Sequence, residues 1–587
     1  MKQVLLVAAL ALALRLPFLR QPVQGDDLYY LYGAEHAQID PLHPTHTKYL
    51  FLGDLVDMRG QSHPPLDSWI LGGLLAIFGD MREAPFHLAY TIFSLIAALA
   101  VWSLARRFTL KPLLATLLFC AVPAFVVNGN SLEADLPFLA FWLAAIALFA
   151  AGLERRSRAA LLASALSAGF AGLAAYQAIF LTPVLAAFLI GKRSKWIAAW
   201  AVTLAAPGAL LAWQAFERAT GGALPASMLA GYLSAYDFES LQRKGRAILA
   251  LLVNLTWMAS PVVLCGAILN VRGRRAWLAG REFLLWWIAI FFAGAAVVFF
   301  VGSARYLLPV AAPLAILLAE AAPRPWIIAG IAVELAISLM LAVVNYQHWA
   351  AYRGFAAQVV REAAGRRIWI DADWGLRWYL EAGGGLPLAK NQAIQPGDLV
   401  VTSELANPLR PGVPLAPFAA AEIAPRIPLR LISLSGRSAY SYGAHGFFPF
   451  EISAGPIDRV RAEIAIEPRL SYVDPRRPES ASQILSGLSP DGWMSSQARI
   501  LLKASGNAEP LEIAVYLPGN APARRLRVSF NGGPAIEQAL PRPGLHTLHA
   551  PAPEAKTILV TLAVDRTFHA PGDARELGLV IRGIGFP

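Results

Sequence analysis

Two adjacent carboxylates, Asp26 and Asp27, follow the first apolar run, Val4 to Leu19, within Gly25-Asp26-Asp27-Leu28-Tyr29-Tyr30. Ionised groups at the end of a membrane span are costly unless they face a wet cavity, so the pair marks a candidate functional site. The competing reading is a pair of solvated acids beside tyrosines of an interfacial aromatic belt. A second acidic group, Glu133 and Asp135, lies in Asn128-Gly-Asn-Ser-Leu-Glu-Ala-Asp-Leu-Pro137. There Ser131 can cap the next helix, with both acids in its first turn favouring the dipole. Yet convergent carboxylates outside a bilayer also suit general-base chemistry or cation binding. Arg305, in Gly302-Ser-Ala-Arg-Tyr-Leu-Leu-Pro309, stands at the outer end of a later apolar run. It either snorkels or grips a lipid phosphate with its planar fork.

These residues need a membrane scaffold, and the composition supplies one. The 587 residues are 56% hydrophobic and 15% charged, with mean hydropathy +0.50, against about 25% charged in soluble chains. The net charge of +11 does not mark a nucleic-acid binder, because the basic residues cluster at the ends of apolar runs. Cys120 and Cys265 both lie inside apolar runs and form neither a disulfide framework nor a metal cluster. Lys2 followed by an apolar stretch resembles a signal peptide, but Arg15 and Pro17 interrupt it, so an uncleaved first span is expected.

A crossing helix needs about 20 apolar residues. Candidates are 3–20, 85–105, 112–128, 134–152, 159–176, 178–191, 196–215, 246–269, 283–301, 304–320 and 326–346, with 63–79 as an interfacial or re-entrant helix. With the N-terminus inside, the inner loops collect Arg106, Arg107 and Lys111; Arg155, Arg156 and Arg158; Lys192, Arg193 and Lys195; Arg272, Arg274, Arg275 and Arg281; and Arg324. That is a positive-inside pattern, and it puts both acidic loops and everything after Tyr346 outside.

The first outer loop, 21–84, holds His36, His43, His46 and His63 among several carboxylates and Lys48, without a familiar metal-ligand spacing. It reads as a hydrated loop with short interfacial helices. A third outer loop, 216–245, with Tyr232, Tyr236, Asp237 and Glu239, is partly amphipathic and suits a lid over a cavity. Residues 351–470 read as a strand at 366–371, a helix at 376–382 and a strand at 398–402, a small α/β unit. Residues 471–587 carry regular short strands with turns, a β-sandwich or jelly roll. Its Trp493, Tyr516 and Phe530 are candidates for a carbohydrate-binding face, although core packing is the commoner fate of aromatic residues.

Taken together, Arg15-Leu16-Pro17, Asp26-Asp27 with Tyr29-Tyr30, His63-Pro64-Pro65-Leu66 with Trp69, Asn130 to Pro137, and Arg305-Tyr306-Leu-Leu-Pro309 resemble the GT-C membrane glycosyltransferases. The branch is that of the protein O-mannosyltransferases and the aminoarabinose transferases of lipid A, and the resemblance covers about 1–350. Asp27 stands where that family more often has Glu, and His63 where the aminoarabinose branch tends to have Lys. The resemblance implies inverting transfer of a sugar from a polyprenyl-phosphate carrier to a lipid, glycan or protein hydroxyl, outside the inner membrane of a bacterium. On that reading Asp26 is the general base. Asp27, Glu133 and Asp135 orient the acceptor or a cation, while His63, Arg305, Tyr306 and Lys48 meet the lipid phosphate. The resemblance names no definite cofactor, and a divalent cation is left open.

Other functions remain in play. An oligosaccharide ligase or polymerase would use a longer lipid-linked donor. A transporter or flippase with an outer sugar-binding module should show repeat symmetry and mid-membrane charges, of which the sequence displays little.

Overall fold

The computed structural model describes residues 2–586 except 62, 237–240, 272–277, 410, 439, 441–445, 505–509, 520, 522, 552–553 and 571. Asp237, Glu239, Arg272, Arg274 and Arg275 therefore lie outside the described residues. The chain divides into two compact units. One comprises Met1–Gln358, Ala372–Gly383 and Glu422–Arg459; the other comprises Val359–Asp371, Gly384–Ala421 and Val460–Pro587.

The first unit is helical. It begins with α1 (Lys2–Ala13), α2 (Asp27–His36), a hairpin of β1 (Lys48–Phe51) and β2 (Asp54–Asp57), and α3 (Leu66–Phe78). There follow α4 (Glu83–Phe108), α5 (Pro112–Ala121), α6 (Pro123–Asn128), α7 (Asp135–Arg155), α8 (Arg158–Ala174), α9 (Leu181–Gly191) and α10 (Ile197–Val202). The series continues with α11 (Ala205–Gly221), α12 (Pro225–Ala235), α13 (Leu241–Met258), α14 (Pro261–Val271), α15 (Glu282–Val298), α16 (Leu308–Ala321) and α17 (Arg324–Glu362). Among the described residues, four stretches are long and apolar enough to cross a membrane: α4, α7, Ala304–Ala321 and α17. The pair α13 and α14 makes a fifth if its 75° bend lies within one span. Helices α3, α5, α8 and α15, and the stretch Tyr176–Gly191, are apolar but shorter.

Several expected spans are therefore broken. The run 112–128 splits where Val122, at ψ 128, precedes Pro123. The run 246–269 splits at Ser260, whose φ is +56, just before Pro261. Proline removes a helix donor and pushes the preceding residue out of the helical region. The helix expected at 63–79, interfacial or re-entrant, corresponds to α3 (Leu66–Phe78), and the stretch 216–245 holds the end of α11, all of α12 and the start of α13.

Beyond α17 come β3 (Ile368–Asp371), α18 (Trp374–Ala382), β4 (Leu386–Pro387), β5 (Leu399–Ser403) and β6 (Leu415–Ile423). Next are β7 (Leu429–Arg430), β8 (Glu451–Ile452) and β9 (Asp458–Ala465). The sheet order β4-β3-β5-β9-β6, with β3 parallel to β5, matches the strand–helix–strand expected there.

The last stretch holds β10 (Tyr472–Val473), β11 (Ile484–Leu488), β12 (Met494–Lys503), β13 (Leu511–Leu517), β14 (Arg524–Phe530), β15 (Ile536–Leu540), β16 (Gly544–Ala550), β17 (Thr557–Val564) and β18 (Val580–Gly585). They form two antiparallel sheets, β10-β18-β13-β16 and β11-β12-β17-β14-β15. Alternate residues point inward, as a pleated strand requires. Ile513 and Val515 of one sheet share a buried cluster with Ile500, Val528 and Val560 of the other, which makes this a sandwich. Phe530 packs against that cluster, while Tyr516 is exposed. Core packing thus accounts for Phe530 and leaves Tyr516 as the outward-facing aromatic.

Candidate functional site

The first outer loop closes onto the second at a glycine. Gly25 has φ +45, and a Cβ there would stand 2.6 Å from Glu133 Oε1. Only glycine takes this left-handed conformation at little cost while admitting so close an approach. The next residue's backbone N–H donates to the same Oε1 at 3.1 Å. Asp27 is fully buried. Its Oδ2 accepts from the Gln24 N–H at 3.0 Å and its Oδ1 from the Leu132 N–H at 2.8 Å. Burial pushes its carboxyl up to about 8, against the opposing pull of those two N–H groups. Asp27 is thus a fastener between the loops rather than an open acid.

Arg305 brings the remaining acids together. Its Nη2 lies 3.0 Å from Asp26 Oδ2, its Nη1 bonds to Glu133 Oε2, and the same Nη1 is 3.4 Å from Asp135 Oδ2. The arginine side chain is 5% exposed, Glu133 4% and Asp135 5%, whereas Asp26 is 40% exposed. Buried charges persist when paired, and only Asp26 among the three acids also faces solvent. The Arg305 Nε–H has no acceptor among the described residues. Tyr306, the next residue, stacks on Phe299 at 4.2 Å, with the Arg305 guanidinium 5.4 Å from its ring centre.

Ser131 does not cap α7 as expected. Its hydroxyl donates back to the Asn128 carbonyl at 2.9 Å, and the residue before the helix, Ala134, offers no side-chain cap. His63 lies in the turn before α3, its ring 5.5 Å from that of Tyr30 and its Nδ1 3.4 Å from the Ala174 carbonyl oxygen. Burial, then the nearby Arg305 charge, lowers its pKa to about 4. Its neutral form is therefore favoured, and the ring has a hydrogen bond to offer where the resemblance implied a partner for the phosphate. Lys48 begins β1, exposed, and makes no ion pair or side-chain hydrogen bond among the described residues. Its expected place beside the phosphate has no contact behind it.

Two histidines of the first loop pair with acids, His43 with Asp40 at 2.9 Å and His46 with Glu217 at 2.6 Å. Among the described residues no group of three or more His, Cys, Asp or Glu side chains is placed to hold a metal ion. At Asp26, Glu133 and Asp135 the Arg305 guanidinium occupies the space between the acids, and a cation would have to displace it.

Other residues of this centre were given no role of their own in the sequence reading. Arg15 is 3% exposed. It donates to the Phe125 and Val126 carbonyls at 2.7 and 2.8 Å and to Ser94 Oγ at 2.7 Å. A Cβ on Gly129 would collide with it at 1.8 Å. It thus holds the C-terminal end of α6, from which the second acidic loop departs. Asp373, at the start of α18, accepts from Tyr29 at 2.7 Å, and Tyr379 donates to Glu83 at 2.7 Å. Asp67 on α3 accepts from Tyr90 at 2.6 Å. Ion pairs and hydrogen bonds separated by a hundred or more residues leave no local pattern. Only the charge of Arg15 and Asp67 within apolar runs was a signal.

Comparison with known proteins bears on this site. Residues 62–216 match the family model described as dolichyl-phosphate-mannose-protein mannosyltransferase. No curated protein matches the chain in sequence. Among solved structures, ArnT from Cupriavidus metallidurans in the apo state is 16% identical, with 71% of this chain and 96% of that chain covered and a TM-score of 0.48. The same protein bound to undecaprenyl phosphate is 15% identical, with 79% and 99% covered, again at 0.48. The arabinofuranosyltransferase AftD from Mycobacteria is 12% identical, with 100% of this chain and 58% of that chain covered, at 0.40. TM-scores below 0.5 do not by themselves establish a common fold. Residues 62–216, which include His63, Glu133 and Asp135, are thus the part of the chain that is similar to the dolichyl-phosphate-mannose-protein mannosyltransferase family model.

Proposed function

We propose that this protein transfers a sugar from a polyprenyl-phosphate carrier to an acceptor hydroxyl on the extracytoplasmic face, with inversion at the anomeric carbon. The observation that carries the reading is the meeting of Arg305 with Asp26, Glu133 and Asp135, only Asp26 of the acids being open to solvent. In the proposed step Asp26 takes the acceptor O–H proton. The acceptor oxygen bonds to the anomeric carbon from the face opposite the phosphate. The carbon–oxygen bond to the phosphate breaks, and its electron pair leaves on the polyprenyl phosphate. A carboxylate within reach supplies the base, and a preorganised guanidinium stabilises the charge that develops on the leaving group. Arg305 retains a donor for this task in its Nε–H, which has no acceptor among the described residues. Glu133 and Asp135 hold the guanidinium in place, Asp27 fastens the loops, and His63 contributes a neutral hydrogen bond. The reading puts the 1–350 domain in the inner membrane of a bacterium and the 351–470 and 471–587 domains in the periplasm.

The test is transfer by the purified full-length protein from synthetic polyprenyl-phosphate sugars to hydroxyl acceptors. An inverted product, with Arg305→Lys strongly impaired because the bidentate fork is lost, supports the reading. No transfer from any such donor overturns it.

A further inference from the structure

Helices α7 and α9 both end on an arginine in the left-handed region. Arg156, after α7, has φ +51, and Arg193, after α9, has φ +48. The Ser157 N–H donates to the Gly152 carbonyl at 2.9 Å and the Ser194 N–H to the Leu189 carbonyl at 3.0 Å, the bonds that close a helix on such a residue. The position is usually glycine, because a side chain there is strained. Both arginines line one cavity of about 580 Å³, together with Lys192 and Lys195. None of these cations makes an ion pair or side-chain hydrogen bond among the described residues; Lys192 only approaches the Phe188 ring, 5.9 Å from its centre. The acid in the lining, Glu154, is already paired with Arg107 at 3.0 Å.

A second cavity, of about 460 Å³, shares Phe188 and Lys192 with the first. Its other walls are mostly apolar and include Phe108, Ile190, Phe283 and Trp286. The Phe283 ring meets Phe188 edge-on at 4.7 Å and stacks against Phe108 at 6.0 Å. Ile190 and Trp286 are 66% and 61% exposed. A basic cavity therefore opens directly into an uncovered apolar groove.

The position of the pair selects its occupant. Helix α7 begins at Asp135, beside Arg305, and ends next to the basic cavity. Its 21 residues span about 30 Å, the thickness of the hydrocarbon layer. The two cavities thus lie at the membrane face opposite the Arg305 cluster and take no part in the reaction proposed above. Helix C-termini and the positive-inside pattern account for cations at that face. They do not account for arginine at two left-handed positions, nor for the adjoining apolar groove. A soluble anion would use only the basic cavity. A lipid with a negatively charged headgroup uses both, its phosphate among the cations and an acyl chain along Phe188, Phe283 and Trp286. Basic pockets between spans suit such headgroups. We propose that the joined cavities bind an anionic phospholipid of the leaflet opposite the Arg305 cluster.

The experiment measures binding of dioleoylphosphatidylglycerol, dioleoylphosphatidylcholine and glycerol phosphate to the full-length protein in uncharged detergent. Two double variants accompany the wild type. Arg156→Gly with Arg193→Gly removes two charges and relieves both left-handed residues, so the fold should persist. Lys192→Gln with Lys195→Gln removes two charges and leaves the backbone alone. The wild type should bind the anionic lipid more tightly than either other probe. Each double variant should bind it about thirtyfold more weakly, from about 1 kcal/mol for each cation beside an anionic headgroup, with phosphatidylcholine binding unchanged. Equal binding of the two lipids by the wild type, or a double variant that keeps its hold on the anionic lipid or loses both lipids equally, overturns the site. Glycerol phosphate bound as tightly as the anionic lipid would show a site for free anions and overturn the lipid assignment.

Discussion

Gly25→Ala probes the closure of the two outer loops with a single methyl group. Two costs add. An L-residue in the left-handed region loses about 1–2 kcal/mol relative to glycine. The new Cβ would also stand 2.6 Å from Glu133 Oε1, and contacts under 3.0 Å do not persist, so the carboxylate must retreat by at least 0.4 Å. Glu133 cannot retreat without straining its bonds to the Asp26 N–H and to Arg305. Losing one hydrogen bond to a charged group costs about 1.5–3 kcal/mol. Gly79→Ala is the matched control, since Gly79 has φ +79 and nothing described lies within 4 Å of where its Cβ would stand. It should carry only the backbone cost. The assay is thermal unfolding in detergent alongside glycosyl transfer. Gly25→Ala should melt below Gly79→Ala and lose at least about tenfold in turnover, which corresponds to only about 1.4 kcal/mol of misplaced catalytic geometry. A Gly25→Ala protein that melts with the control and turns over within twofold of wild type would refute the reasoning.

Two further outcomes follow. His63 has its folded pKa depressed to about 4 by burial and Arg305, against about 6.5 unfolded. The unfolded chain therefore binds the extra proton first, and stability should fall as pH drops from about 6.5 to 4, by at most about 3.4 kcal/mol and less because the residue is partly exposed. His63→Gln should flatten that part of a melting-against-pH curve, and an unchanged slope would show that other groups carry it. Residues 471–587, expressed alone, should give a β-rich circular dichroism spectrum and a cooperative melt, because the two sheets share one buried cluster; a helical or unfolded spectrum would contradict this.

The sequence carried the membrane class, the strand–helix–strand at 368–403 and the β-rich end, because apolar run length and residue alternation are local properties. It also brought forward Asp26, Glu133, Asp135 and Arg305, since charge beside an apolar run stands out. Continuity of spans was harder to read. Hydropathy counts composition and does not register that Val122 and Ser260 leave the helical region before Pro123 and Pro261, although those prolines were the available signal. Lys48 and His63 were assigned by type. The structure leaves Lys48 exposed and His63 neutral, and both outcomes depend on burial that only the fold determines. The hold of Arg15 on α6 and the bond from Tyr29 to Asp373 are long-range in the chain and invisible to any window.

The central claim is that Asp26 takes the acceptor's proton. Asp26→Asn keeps the size and most of the hydrogen-bonding shape of the side chain and removes its basicity. The direct measurement is single-turnover transfer from a synthetic polyprenyl-phosphate sugar, with donor binding and melting temperature checked on the same sample. The account expects donor binding and folding to persist while the rate falls by ~100- to 10,000-fold, the usual worth of general-base assistance. A folded Asp26→Asn protein that binds donor and transfers at a near-normal rate would contradict it and move the base to another residue.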